Sequence, residues 1–102
     1  MNFNNYTIKS QEAVQKATEI AGGNQQQAIE TGHLLKGILQ TDENVPNFYF
    51  KKLGVNINQF NTRLDEAVAA YPKVSGGSPY LANEAAAALQ KANLYLKEFV
   101  DE

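Results

Sequence analysis

The chain has 102 residues, 43% of them drawn from AVILMFWYC and 20% charged, with nine Lys or Arg against eleven Asp or Glu for a formal charge of −2. That is enough for one modest core and too apolar for a disordered segment. The basic residues are scattered, which excludes the clustered cationic footprint of a nucleic-acid binder, and the absence of cysteine excludes disulfides and thiolate chemistry while suiting a reducing, cytoplasmic location.

The opening MNFNNYTIKS has no basic stretch followed by an apolar run, so it does not read as a secretory signal, and the sequon at Asn5-Tyr6-Thr7 is then fortuitous. No apolar segment approaches the ~20 residues needed to cross a bilayer. Thr7 predicts a cap for a first helix, on which Val14, Ala17, Ile20 and Ala21 recur at helical spacing, with Gly22-Gly23 as its stop. A polar link, NQQQAIE, leads to Thr31, the expected cap of a second helix with Leu34, Leu35, Ile38 and Leu39 on its inner face. Pro46 suits the first turn of a short third helix whose apolar positions are Val45, Phe48, Tyr49 and Leu53. Asn56 predicts the cap of a fourth, along which Ile57, Phe60, Leu64, Val68 and Tyr71 form the clearest amphipathic stripe in the chain. PKVSGGSPY, rich in Pro, Gly and Ser, is the one evident linker. The stretch NEAAAALQKANLYLKEFVDE then predicts a fifth helix with Ala85, Leu89, Ala92, Leu96 and Phe99 inside. No stretch alternates as a β-strand for more than a few residues, so an all-α bundle of about five helices is expected.

AVQKA at 13–17 returns as ALQKA at 88–92, an offset of 75 residues at which Val14 meets Leu89, Ala17 meets Ala92 and Ala21 meets Leu96. Five shared letters can arise by chance in helices rich in Ala, Gln and Lys, but the linker sits just ahead of the second copy and favours a duplication. The ordered signals YTIKSQEAVQKATEIAGGN, IETGHLLKGIL, LGVNINQFNTRLDEAV and YPKVSGG strongly resemble the N-terminal, Clp-repeat domain of Clp/Hsp100 unfoldases, most of all the disaggregating ClpB branch. The resemblance implies two four-helix repeats joined by such a linker. Residues 1–71 would be the first repeat, 72–80 the linker, and 81–102 the first helix of an incomplete second one. The apolar face of that helix is then expected either to settle on the first four helices or to be shared with another copy as a dimer or helix swap. No GxxxxGK[ST] phosphate loop occurs, so no cofactor is expected in this chain and any ATPase ring lies outside it.

His33 is the only histidine, and with Glu30 alone beside it there is neither a metal set nor a Ser-His-acid triad; a structurally satisfied histidine near a helix start is expected. Asp65-Glu66 and Asp101-Glu102 read as solvated faces. Thr7 is a helix cap on its own sequence logic, and the resemblance implies that the matching threonine engages unfolded substrate. Asp101 falls at the match of an acidic residue also implicated in the family. Leu94 corresponds, at the offset of 75, to the charged Glu19, so with Lys91 and Tyr95 it is a candidate wall of the substrate groove that the resemblance places on this helix. The candidate substrate-binding set is therefore Thr7, Lys91, Leu94, Tyr95 and Asp101. The expected partners are unfolded or aggregated polypeptides and the rest of an AAA+ hexamer, with no nucleic acid and no membrane. Docking of an adaptor protein, as in the ClpA/ClpC branches, and a purely structural or oligomerisation role are the alternatives; an enzyme is the weakest reading.

Overall fold

The computed structural model of the chain describes residues 7–42, 44–74 and 76–100, with side chains as far as residue 92. Among them lie five helices, α1 (Ile8–Gly23), α2 (Thr31–Thr41), α3 (Asn44–Leu53), α4 (Ile57–Ala69) and α5 (Asn83–Val100), and two dipeptide strands, β1 (Ala28–Ile29) and β2 (Tyr80–Leu81). The fold is the all-α bundle that the periodicity implied, with one addition. β1 and β2 pair in parallel, Ala28 against Tyr80 and Ile29 against Leu81, a contact too short to leave an alternating pattern in the sequence.

Thr7 caps α1: its hydroxyl oxygen accepts the Ser10 amide at 3.1 Å, supplying one of the partners that a helix start lacks. The buried face of α1 is Ala13, Val14, Ala17 and Ala21. Three of these four are alanines, so little side chain stands between α1 and its neighbour. Gly37 of α2 exploits that. A Cβ placed there would lie 2.3 Å from the Ala13 carbonyl oxygen, so the two backbones meet at a contact that only glycine fits.

The exit from α1 departs from expectation. The helix runs through Gly22 and Gly23, and the left-handed residue that ends it is Gln25, at φ 59°. Gln26 N–H reaches the Ala21 carbonyl at 2.8 Å and Gln25 N–H the Gly22 carbonyl at 3.0 Å, the paired bonds of a Schellman closure. A glutamine takes the strained position because the turn aims Gln26 inward. That residue is 2% exposed, and its Nε2 donates to the carbonyls of Val68 at 2.6 Å and Tyr71 at 3.2 Å, at the end of α4. The start of α2 is likewise shifted by one residue: Glu30, not Thr31, is the N-cap, and the backbone N–H of Glu30 donates to His33 Nδ1 at 2.9 Å.

The linker is threaded along the same glutamine segment. Val74 N–H donates to the Gln25 carbonyl at 3.0 Å, Gln27 Nε2 to the Ser78 carbonyl at 2.9 Å, Tyr80 N–H to the Gln27 carbonyl at 3.2 Å and Ala82 N–H to the Ile29 carbonyl at 3.0 Å. These bonds deliver α5 onto α1 and α2. The core there is Val14, Ala17, Ala21, Ile29, Leu34 and Ala85, with Leu81, Ala82 and Leu89 packed around it. Of the two fates expected for α5, the structure has it seated on the first helices. Ala92, expected inside, is exposed, and the side chains of Leu96 and Phe99 lie outside the described set.

The second half of the first block is more open than its amphipathic stripe implied. On α4 only Val68 is fully buried, while Ile57, Phe60 and Leu64, and Tyr71 just beyond the helix, are half-buried. On α3 the four apolar positions read from the sequence are all exposed, Val45 at 53%, Phe48 at 55%, Tyr49 at 58% and Leu53 at 74%. The residue that turns toward α4 is instead Phe50, whose ring lies 4.8 Å from that of Phe60.

Candidate binding groove

Between α1, α2 and α5 the packing leaves an apolar groove of about 520 Å³. Val14 forms its floor with Leu34; Leu35 and Ile38 form one wall, and Ala88, Leu89 and Ala92 of α5 the other. Thr7 and Ser10 edge it at the start of α1. Among the described residues no charged side chain lines it, so what they offer a ligand is apolar contact with a few hydroxyls at the rim, the chemistry of a surface for aliphatic or aromatic side chains. The residues are exposed for a structural reason. α2 carries Leu34, Leu35, Ile38 and Leu39, a stripe wider than α1 can cover, and the described side chains of α5 that reach the groove are Ala88, Leu89 and Ala92. Ile38 is left 45% exposed.

Thr7, the first of the sequence candidates, stands at this rim. Its oxygen is already engaged twice, accepting from Ser10 N and donating to Ser10 Oγ at 2.9 Å. Its methyl group and one remaining lone pair are what a ligand would meet. Lys91 is exposed on α5 beside the lining residue Ala92. Leu94 and Tyr95 lie further along α5, in the part whose side chains are outside the described set, and Asp101 lies outside the described residues altogether. Glu19, the counterpart of Leu94, is exposed and pairs with Lys16 at 3.7 Å. The groove wall on α2, Leu35 and Ile38, was not among the sequence candidates, because periodicity marks an apolar face without saying which part of it stays uncovered.

His33 takes the structural role that its isolation implied. It is fully buried, and its two ring nitrogens are both committed. Nδ1 accepts the Glu30 amide, which leaves Nε2–H to donate to Gln26 Oε1 at 2.7 Å. The same Gln26 then donates to α4, so one neutral imidazole holds the start of α2 to the end of α4. Burial, and secondarily the nearby Lys36 ammonium, push the imidazole below its ordinary value of 6.5. Tyr71 closes the site, its ring 5.1 Å from His33 and its hydroxyl accepting the Gly32 amide at 3.3 Å. Asp65, read as solvated, is exposed but bonded to Lys36 at 2.7 Å. Among the described residues no three His, Cys, Asp or Glu gather as metal ligands, and no helix is long and apolar enough to cross a membrane.

Residues 5–102 match the model of the Clp repeat (R) N-terminal domain. The chain belongs to this family. It is 53% identical over 102 residues to a protein named chaperone protein ClpB from Bacteroides thetaiotaomicron, aligning over 100% of its own length and 12% of the relative's. It is 48% identical over 92 residues to ClpB of Porphyromonas gingivalis, 90% of this chain and 11% of the relative. A more distant ClpB, from Enterococcus faecalis, is 34% identical over 106 residues. The chain thus spans about 12% of the length of the curated relatives it matches. It is an N-terminal Clp-repeat domain of the Clp/Hsp100 chaperone kind, similar to that of ClpB, and no GxxxxGK[ST] loop occurs in its sequence.

Proposed function

We propose that this Clp-repeat domain binds exposed apolar segments of unfolded or aggregated polypeptides through the α1–α2–α5 groove and passes them to an ATPase ring that lies outside the chain. The observation that carries the reading is the groove itself: an uncovered space of about 520 Å³ whose described lining is apolar, with Thr7 at its edge. Burial of one leucine-sized side chain contributes about 1.5–3 kcal/mol. Ordering a flexible client offsets part of that, so contact is weak and tolerant of sequence, as a domain that must release its client requires. Thr7, Lys91, Leu94, Tyr95 and Asp101 are the proposed contacts on the resemblance, and Leu35, Ile38 and Leu89 are added by the geometry.

The test is titration of the isotopically labelled chain with a permanently unfolded protein, read residue by residue by NMR. Signals of Leu35, Ile38 and Leu89 should move, and Ile38→Ser should weaken the response with the fold intact. A spectrum that stays flat at millimolar client would sink the proposal. Tight, stoichiometric saturation by one folded partner and no response to unfolded chains would point instead to adaptor docking, whose interfaces bury about 1,000 Å² or more.

A further inference from the structure

The exposed face of α3 is a separate feature that the groove does not use. Phe48, Tyr49 and Leu53 are more than half exposed, with Val55 following at 37%. Two lysines, Lys51 and Lys52, stand among them in the last turn. Lysines in a last turn complement the partial negative charge of a helix end, which accounts for the cations but not for aromatic rings left in water. The lysines also lack acidic partners. Lys9, Lys16 and Lys36 each meet a carboxylate, whereas Lys51 and Lys52 meet none among the described residues, and Lys52 Nζ lies 5.1 Å over the Phe48 ring. Among the described residues, Asp42 accepts the Asn44 and Val45 amides at the start of α3 and meets Lys9, and Asp65 of α4 holds Lys36. Beside the lysines, at the α3–α4 junction, Asn47, Asn56 and Asn58 line an open shelf with Lys51 and Val55.

We infer that this α3 face is a second docking surface, for an acidic segment of another polypeptide that carries apolar side chains. Its aromatic and aliphatic residues fit the apolar side chains, its unpaired lysines fit the carboxylates, and the asparagine amides fit peptide groups. A second copy of this chain is disfavoured as occupant, because a two-fold interface uses the same patch on both copies and α3, NVPNFYFKKL, carries no carboxylate to meet Lys51 and Lys52. An anionic bilayer is disfavoured as well: each lysine contributes only about 1 kcal/mol there, two are available, and the chain as a whole is itself anionic.

The experiment uses the 102-residue chain and three probes. These are a fluorescein-labelled peptide alternating Glu with Leu and Phe, the same peptide with Lys for Glu, and phosphatidylglycerol vesicles. The acidic peptide should raise the fluorescence anisotropy, should shift the amide signals of α3 and not those of Leu35 or Ile38, and should bind less tightly as salt is added. The double variant Lys51→Glu, Lys52→Glu should weaken it about tenfold, and Phe48→Ser should weaken it too. All three residues are exposed, so circular dichroism should show an unchanged fold. Ile38→Ser, which opens the other site, should leave this binding as it was, so the two proposals fail separately. Equal affinity for the acidic and basic peptides, indifference to the lysine reversal, or binding of vesicles alone would overturn the inference.

Discussion

Replacing Gly37 by alanine adds one methyl group at the tightest point of the bundle. In an exposed helix the change would stabilise by up to about 1 kcal/mol, because alanine is the better helix former. Here the new Cβ would lie 2.3 Å from the Ala13 carbonyl oxygen and 3.2 Å from both the Ala13 carbonyl carbon and the Ala17 nitrogen. These are backbone atoms of a helix and cannot swing aside, so α1 and α2 must separate by about 1 Å to restore ordinary contact. The separation loosens Val14, Ala17 and Ala21 in the core they share with Leu34. Overpacking of this kind costs typically 1–3 kcal/mol. A clash with backbone falls in the upper part of that range, about 2–3 kcal/mol, so with the propensity gain of about 1 kcal/mol set against it the expected net loss is about 1–2 kcal/mol, a lowering of the melting temperature by about 5–15 °C for a domain of this size. Urea denaturation followed by far-UV circular dichroism measures it. Gly22→Ala is the control: a Cβ there meets nothing within 4 Å, so that variant should be neutral or slightly stabilised. If Gly37→Ala proves as stable as the parent, the close helix contact does not exist and the account of the α1–α2 interface is wrong.

His33 makes stability depend on pH. Its folded value lies below 6.5, so the unfolded chain takes up the proton first. Its full contribution is present above about pH 6.5 and is lost as the pH falls from there through the folded value, with a slope of up to about 1.4 kcal/mol per unit. No other histidine titrates in that window, so His33→Gln should flatten it in urea midpoints measured across pH 5–7. Gln25→Gly should raise stability by about 0.5–1 kcal/mol, since glycine relieves a left-handed conformation that costs other residues about 1–2 kcal/mol and returns part of the gain as chain entropy; an unchanged urea midpoint would contradict the turn described here. Thr7→Ala should lose about 1 kcal/mol with the cap, whereas Thr7→Ser should keep it. A Thr7→Ser chain with parental stability and an altered client titration would separate the role of the methyl group in binding from that of the hydroxyl in folding.

The helices were legible because their signals are local. Thr7 and Asn56 cap as their side chains dictate, and the stripes on α1 and α4 have the right period. The departures come from contacts between distant residues. Gly22-Gly23 looked like a stop, but the turn is placed where it lets Gln26 reach the carbonyls that end α4, forty-odd residues away. Thr31 looked like a cap, but His33 closes the start of α2 from within and moves the cap to Glu30. The β1–β2 bridge is two residues long and left no period to read. On α3, hydrophobicity alone does not say which rings are covered: Phe48 and Tyr49 pack edge to face on each other while staying exposed, and Phe50 lies against Phe60 of α4. Of the site, Thr7 was named on the resemblance and stands at the groove, while Leu35 and Ile38 of α2 needed coordinates, because being uncovered is a property of what surrounds a residue.

The linker, finally, behaves as a seam more than as a tether. On its far side, Ser78, Tyr80 and Ala82 are stitched to Gln27 and Ile29, and Val74 is fastened to Gln25 before the glycines are reached. A nick between Gly76 and Gly77 would sever none of these stitches. The seating of α5 on the rest of the domain is therefore written into hydrogen bonds with Gln25, Gln27 and Ile29, and not into the covalent continuity of the loop.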